Sequence, residues 1–209
     1  MTLLDEPQKT PRPPLGRPRR FDRETALIAA MRTFWAQGYE GTSIQDLVAA
    51  MGINKPSLYA TFGCKEEVFR EAVELYDRLE GRATTQSLAE AATAREAVEA
   101  MLLANARAYT ETEGPRGCMI VLSSLLGAPE NAGVRDFLAK NRLDGEAALR
   151  ARLAEGVAQG DLAPSADLDR LAAFYTTVLE GLSIQARDGA SAEKLRMIID
   201  AAMLAWPTD

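Results

Sequence analysis

The sequence contains no histidine. That removes Ser-His-Asp and Cys-His catalysis, HExxH zinc chemistry and every histidine-liganded metal site. Its two cysteines, Cys64 and Cys118, lie far apart, form no disulfide framework and cannot close a zinc site. There is no glycine-rich phosphate loop, and no pair of acids that spacing singles out. An enzyme is therefore disfavoured, and neither cofactor nor metal is expected. No apolar run reaches the roughly 18–20 residues of a membrane span. The first residues, MTLLDEPQKTPRPPLGRPRR, lack an apolar core of signal-peptide type. A cytoplasmic protein without a membrane partner is the expectation. No stretch shows the β-branched alternation of a strand, and no internal repeat is present.

What remains is a helical composition. The 209 residues are 47% hydrophobic and 26% charged, enough for one sizeable core or two small ones. The net charge of −6 conceals a split. Residues 1–65 hold nine Lys/Arg and six Asp/Glu, a net of +3, and the other fifteen and twenty-four give −9. A basic first third joined to an acidic remainder suggests one end that meets an anion.

Residues 1–20 are rich in Pro and Arg and read as a flexible basic arm. Within it, Leu15-Gly-Arg-Pro-Arg19 is similar to the Gly-Arg-Pro core of AT-hook peptides. Arg17, Arg19 and Arg20 are thus candidates for minor-groove contacts. A first helix is expected from an Asp22 cap to Gly38, with Leu27, Ile28, Met31, Phe34 and Trp35 as one apolar stripe. Thr42-Ser-Ile-Gln45 reads as a capping box that starts a second helix, stopped by Gly52. Asn54-Lys-Pro56 starts a third, with a capping residue and a first-turn proline. A fourth runs from Cys64-Lys65 to about Gly81.

Helices two and three are too short to stand alone in water. Joined through Gly52 they make a helix-turn-helix. Leu58 and Phe62, one turn apart, can pack inward, which leaves Lys55, Ser57, Tyr59 and Thr61 on or near the outer side. Short polar groups and one phenol on such a helix suit base edges and phosphates.

These residues resemble the DNA-binding region of the TetR family of transcriptional regulators. The resemblance runs over Phe21–Tyr76. It rests on Phe34-Trp-Ala-Gln-Gly-Tyr39, Gly41-Thr-Ser-Ile44, Leu47-Val-Ala-Ala-Met-Gly-Ile53, Ser57-Leu-Tyr-Ala-Thr-Phe-Gly63 and Lys65-Glu-Glu-Val-Phe69, in that order. It implies phosphate contacts from Thr42 and Ser43, and a groove-facing set of Lys55, Pro56, Ser57 and Thr61. It further implies a phosphate-binding tyrosine, Tyr59, and a backbone-binding lysine, Lys65. One departure is Cys64, where the family usually has a better capping residue. A thiol at a helix N-terminus beside Lys65 is a candidate redox site.

Beyond Gly81 helices are expected near 92–112, 118–126, 130–158, 167–188 and 191–205, about nine in all. The fold class is all-α, organised as an arm (1–20), a helix-turn-helix domain (21–66) and a ligand-binding and dimerisation domain (67–209). Met101, Asn105 and Tyr109 share a face, and an amide there needs a partner. With Met119, Leu122, Ser123, Phe137, Phe174 and Tyr175 they are the candidate lining of a pocket for a small apolar or amphipathic ligand. The last two helices carry more apolar surface than one chain covers, so Leu171, Val178, Leu182, Ile198, Ala202 and Leu204 are candidates for a dimer interface. The resemblance implies a homodimer through a four-helix bundle, and hence two reading heads on a pseudo-palindromic operator in double-stranded DNA. The function expected is a repressor released by its ligand. The alternative is a helical dimeric adaptor whose helix-turn-helix is not used on DNA.

Overall fold

The computed structural model describes residues 22–111, 114–123 and 126–207, so Arg17, Arg19 and Arg20 of the basic arm lie outside the described residues. Ten α-helices and one 3-10 turn, with no strand, form the described fold.

Helix α1 (Arg23–Gly41) starts where the Asp22 carboxylate accepts from the amide of Glu24. Its Leu27, Met31, Phe34 and Trp35 are buried. Helix α2 (Ile44–Met51) ends at Gly52 in the left-handed region, and α3 (Lys55–Phe62) begins on the Asn54 cap. Helix α4 (Lys65–Glu80) closes the head with Val68, Phe69, Ala72, Val73 and Tyr76. Three rings lock the middle: Phe34 lies edge-on to Phe69 at 5.0 Å and stacks on Tyr39 at 6.2 Å, while Tyr39 meets Phe69 at 5.1 Å.

The second body is built from α5 (Arg82–Glu90), α6 (Ala94–Thr110), the single turn α7 (Met119–Leu122), α8 (Ala132–Gln159), α9 (Leu168–Arg187) and α10 (Ala192–Met203). The 3-10 turn Pro129–Asn131 leads into α8. Its core gathers Val98, Leu102, Leu149, Leu153, Tyr175, Leu182, Leu195 and Ile199.

Several boundaries differ from the sequence expectation for identifiable reasons. Gly38 does not end α1. It takes a left-handed φ of 73°, kinks the helix, and a further turn runs on to Gly41. The capping box of α2 is Ser43 with Asp46, one residue later than Thr42 with Gln45. Helix α5 was not anticipated because Gly81 reads as a stop. Gly81 instead adopts right-handed helical angles (φ −68°, ψ −16°), so it turns the chain and α5 follows at once. The expected helix 118–126 is cut to one turn because the Ser123 carbonyl leaves it to accept from the amide of Tyr39 at 2.9 Å.

That last bond belongs to a joint between the two bodies. The indole of Trp35 donates to the Gly117 carbonyl at 2.8 Å. Arg187, at the end of α9, donates to the Trp35 carbonyl at 2.7 Å. The Glu40 carboxylate accepts from the amide of Ala128 and the side chain of Asn131. Gly117 is held in the left-handed region (φ 79°), where a Cβ would stand 2.6 Å from the Ser183 carbonyl. The packing also crosses the joint: Met119, Val134 and Leu138 are buried in the first core, beside residues of α4. The first core therefore runs past residue 66, where the sequence reading placed the domain boundary.

Acids cap the head, and this sets its pH response. Asp22, Asp46 and Glu67 are held below their usual carboxylate range, the first two chiefly by side-chain hydrogen bonds and Glu67 by the amide of Cys64. Glu40 is lowered by Asn131. A carboxyl whose folded pKa is depressed adds stability that is present above its unfolded value, about 4, and is lost as pH falls through the folded value. Half-buried Glu180 has the opposite sign, since burial raises it. Thermal melts followed by circular dichroism are expected to give a midpoint that holds from pH 7 to 5 and drops below about pH 4. A midpoint that rises on acidification would show that Glu180 outweighs the caps.

Candidate nucleic-acid interface and interior cavity

Helix α3 is two-sided. Leu58 and Phe62 are buried against the other helices of the head, and Arg23 lies over the Phe62 ring while pairing with Glu71 on α4. On the outer side Lys55, Pro56 and Tyr59 are exposed, with Ser57 and Thr61 half-buried. Tyr59 keeps 44% of its surface in solvent, and the Lys55 ammonium stands 5.8 Å from its ring. A phenol and an ammonium are thus displayed together on a helix whose other face anchors it.

Ser43 is exposed at the N-terminus of α2, where its amide and hydroxyl both meet Asp46. Thr42 differs from its expected role. Only 1% of it is exposed, and its hydroxyl donates to the Gly38 carbonyl, so it braces the kink of α1. Lys65 is half-buried, with its ammonium 4.2 Å from the centre of the Tyr39 ring, and burial lowers its pKa. Cys64 is exposed, and the Glu67 carboxylate accepts from its amide at 2.7 Å.

The second site is a cavity of about 760 Å³. Its walls come from α1 (Trp35), α4 (Tyr76), α5 (Leu88), α6, the Cys118 turn, α8 and α9 (Leu179). Of the candidate ligand residues, Met101, Asn105 and Tyr109 line it. Asn105 has the partner its position demands, donating to Thr84 and to the Met101 carbonyl. The other six lie elsewhere. Met119 is buried in the first core, and Phe137 packs against that core under Arg70. Leu122 and Ser123 line a smaller hollow beside Gly38 and Arg187. Tyr175 is buried against Trp206, and neighbouring Phe174 is 40% exposed.

Sequence reasoning missed Trp35, Tyr76, Cys118, Arg142 and Arg152 as cavity residues. Burial pushes the phenols of Tyr76 and Tyr109 well above their ordinary value and raises the Cys118 thiol. All three are therefore neutral hydrogen-bonding groups at physiological pH. Arg152 is only 7% exposed, donates through Nε to the Leu88 carbonyl and through Nη2 to that of Ala91, and keeps Nη1 buried without a partner. A signal for it existed: Leu149, Arg152, Leu153 and Gly156 form one inward stripe of α8, and an arginine within such a stripe needs acceptors.

The last two helices divide their apolar residues between core and surface. Leu182 and Ala202, expected at a dimer interface, are buried inside the protomer. Leu171, Val178 and Ile198 are half-buried, and Leu204 is 88% exposed. Phe174, Ile184 and Met197 are exposed on the same two helices.

The profile of bacterial regulatory proteins of the tetR family matches residues 26–72, and that of the tetracyclin repressor-like C-terminal domain matches residues 94–202. The HTH-type transcriptional repressor ComR of Escherichia coli is 36% identical over 193 residues, covering 92% of each chain. The HTH-type transcriptional repressor BdcR of the same organism is 31% identical, covering 86% of each. Among solved structures, a cysteine mutant of the TetR family transcriptional regulator CifR, complexed with 26-bp double-strand operator DNA, superposes with a TM-score of 0.89 at 47% identity, covering 91% of this chain and all of that one. Two profiles that account for both bodies, and relatives aligned along most of the chain, lead to one conclusion: this chain belongs to the TetR family of transcriptional regulators.

Proposed function

We propose that this DNA-binding regulator is a homodimeric repressor of the cytoplasm that leaves its operator when a small amphipathic molecule fills the interior cavity. The observation that carries this reading is the position of the cavity. Its walls include Trp35 of α1 and Tyr76 of α4, and both helices are rooted in the head that presents Lys55 and Tyr59. An occupant that spreads those walls changes the pose of the head. In a dimer it thereby changes the spacing of two recognition helices, which must meet successive major grooves about 34–36 Å apart. By linkage, operator and ligand then weaken each other, by about 1–3 kcal/mol in typical cases. The apolar side chains left exposed on α9 and α10, Phe174, Ile184 and Met197, and Leu204 just past the end of α10, support a dimer through these helices. Lys55 and Ser57 would face the groove, Ser43, Tyr59 and Lys65 the backbone, and the Arg17–Arg20 arm the minor groove.

The test is selection of genomic fragments on the purified protein at several salt concentrations. The expected result is a shared pseudo-palindrome, bound by one dimer, with an affinity that falls linearly on a log–log plot against salt as counterions are released. Recovery of direct single sites would exclude the two-fold dimer. No enrichment at any salt would favour an adaptor role.

A further inference from the structure

Two phenols of the cavity wall carry donors that the protein leaves unused. Tyr76 and Tyr109 line the cavity and are only 4% and 5% exposed. Burial keeps both in the neutral O–H form. Neither hydroxyl donates to an oxygen or nitrogen among the described residues, and neither is sealed from open space as Ser123 Oγ and Arg152 Nη1 are. The little surface they keep therefore opens on the cavity. What both phenols meet is the Cys118 thiol, and they also neighbour each other. Sulfur is a weak acceptor, so each phenol keeps most of its donor capacity for an occupant. The Met119 amide faces the Tyr76 oxygen, which leaves the hydrogen of that hydroxyl free to be donated.

The charges of the wall decide what kind of acceptor fits. Five carboxylates stand there against two arginines. Arg152 donates to the Leu88 and Ala91 carbonyls, and Arg142 to the Ile120 carbonyl beside Glu180. An anion thus meets a net negative wall whose arginines are already engaged. A cation brings donors to a place that already has two. An uncharged oxygen avoids both difficulties. A carbonyl has two lone pairs and asks for no acceptor in return, so one atom can take both phenols. The neighbouring wall, with Trp35, Met101, Val121, Leu149 and Leu179, suits an apolar body.

We propose that the cavity takes an uncharged molecule with an apolar body and a carbonyl oxygen, the oxygen held by Tyr76 and Tyr109. This assignment rests on the reading of the cavity as a ligand site. Tyr76 lies on α4 of the head and Tyr109 on α6 of the second body. One oxygen shared by both phenols adds a link between the two bodies, and so biases the pose of the head.

The experiment is calorimetric titration of the full-length protein, without DNA, with 2-nonanone, nonanoate and nonylamine. 2-Nonanone is expected to bind at least about tenfold more tightly than either, since neither charged head group gains a partner for the water it loses. Tyr76→Phe and Tyr109→Phe keep the rings and remove one donor each, and each is expected to weaken 2-nonanone by about two- to tenfold, with a larger loss in the double variant. Equal or tighter binding of nonanoate or nonylamine would overturn the proposal and leave the cavity a ligand site. An affinity for 2-nonanone that is unaltered in the double variant would do the same. Absence of binding by all three probes would overturn it together with the reading of the cavity. If the variants do not fold, the order of the three probes on the native protein decides alone. Since DNA is absent, failure here leaves the operator selection untouched.

Discussion

Phe34→Ala is expected to lower the stability of the protein by about 3–5 kcal/mol, the usual cost of emptying a buried phenylalanine site. The ring has no solvent exposure, and it is the member of the aromatic group that touches both Phe69 and Tyr39. Its removal leaves a void between α1 and α4, the helices that frame the head. Collapse into that void is resisted by Trp35 on the same helix, whose indole is tied to Gly117, and by the edge-on contact of Trp35 with Tyr76. For a chain of this length the melting temperature should fall by about 6–20 °C. Leu143→Ala is the control. That leucine is 65% exposed on α8, and its loss should cost no more than about 0.5 kcal/mol. Denaturant unfolding of both variants checks the pair, and equal midpoints would mean that the ring cluster does not hold the head.

Tyr59→Ala is expected to weaken operator binding by about 100-fold per dimer, while leaving the melting temperature unchanged. The magnitude follows from two copies each losing a hydrogen bond to a charged phosphate, taken at about 1.5 kcal/mol apiece, the low end for such bonds. The unchanged stability follows from position: Tyr59 is no member of the head core, keeps 44% of its surface in solvent, and has the Lys55 ammonium 5.8 Å from its ring. Tyr59→Phe separates ring from hydroxyl and should retain part of the affinity. No cation is removed in either variant, so the slope of affinity against salt should stay as in the native protein. Unaltered affinity for the selected operator in Tyr59→Ala would place this residue outside the contact.

The head was more legible in the sequence than the cavity, because its elements obey local rules. Asp22 and Asn54 announce helix starts, Gly52 announces a turn, and Leu58 with Phe62 announce an inward face. Each is settled within four or five residues. The error at Thr42 was also local: Thr42 and Ser43 are equally good caps by type, and the kink at Gly38 decides between them by drawing Thr42 inward. The cavity obeys no such rule, since its wall is shared by six helices and a turn. Phe174 and Tyr175 are the clearest case. Adjacent residues on a helix point about 100° apart, so one of them faces Trp206 while its neighbour faces solvent. Periodicity shows that an inward stripe exists without showing whether core, cavity or partner lies opposite. Met101, Asn105 and Tyr109 were found because an amide on an apolar stripe is itself a sign of a lined space. Arg152 carried a similar sign that a reader attending only to apolar positions passes over.

The shared packing across the joint bears on how such regulators can be recombined. A chimera made by cutting at residue 66 would separate Phe69, Val73 and Tyr76 from the ring cluster they complete, and would strip Met119, Val134 and Leu138 of their cover. Transplanting this DNA specificity onto another sensor therefore requires carrying α4 with the head. The receiving body must also offer three apolar side chains where Met119, Val134 and Leu138 now stand.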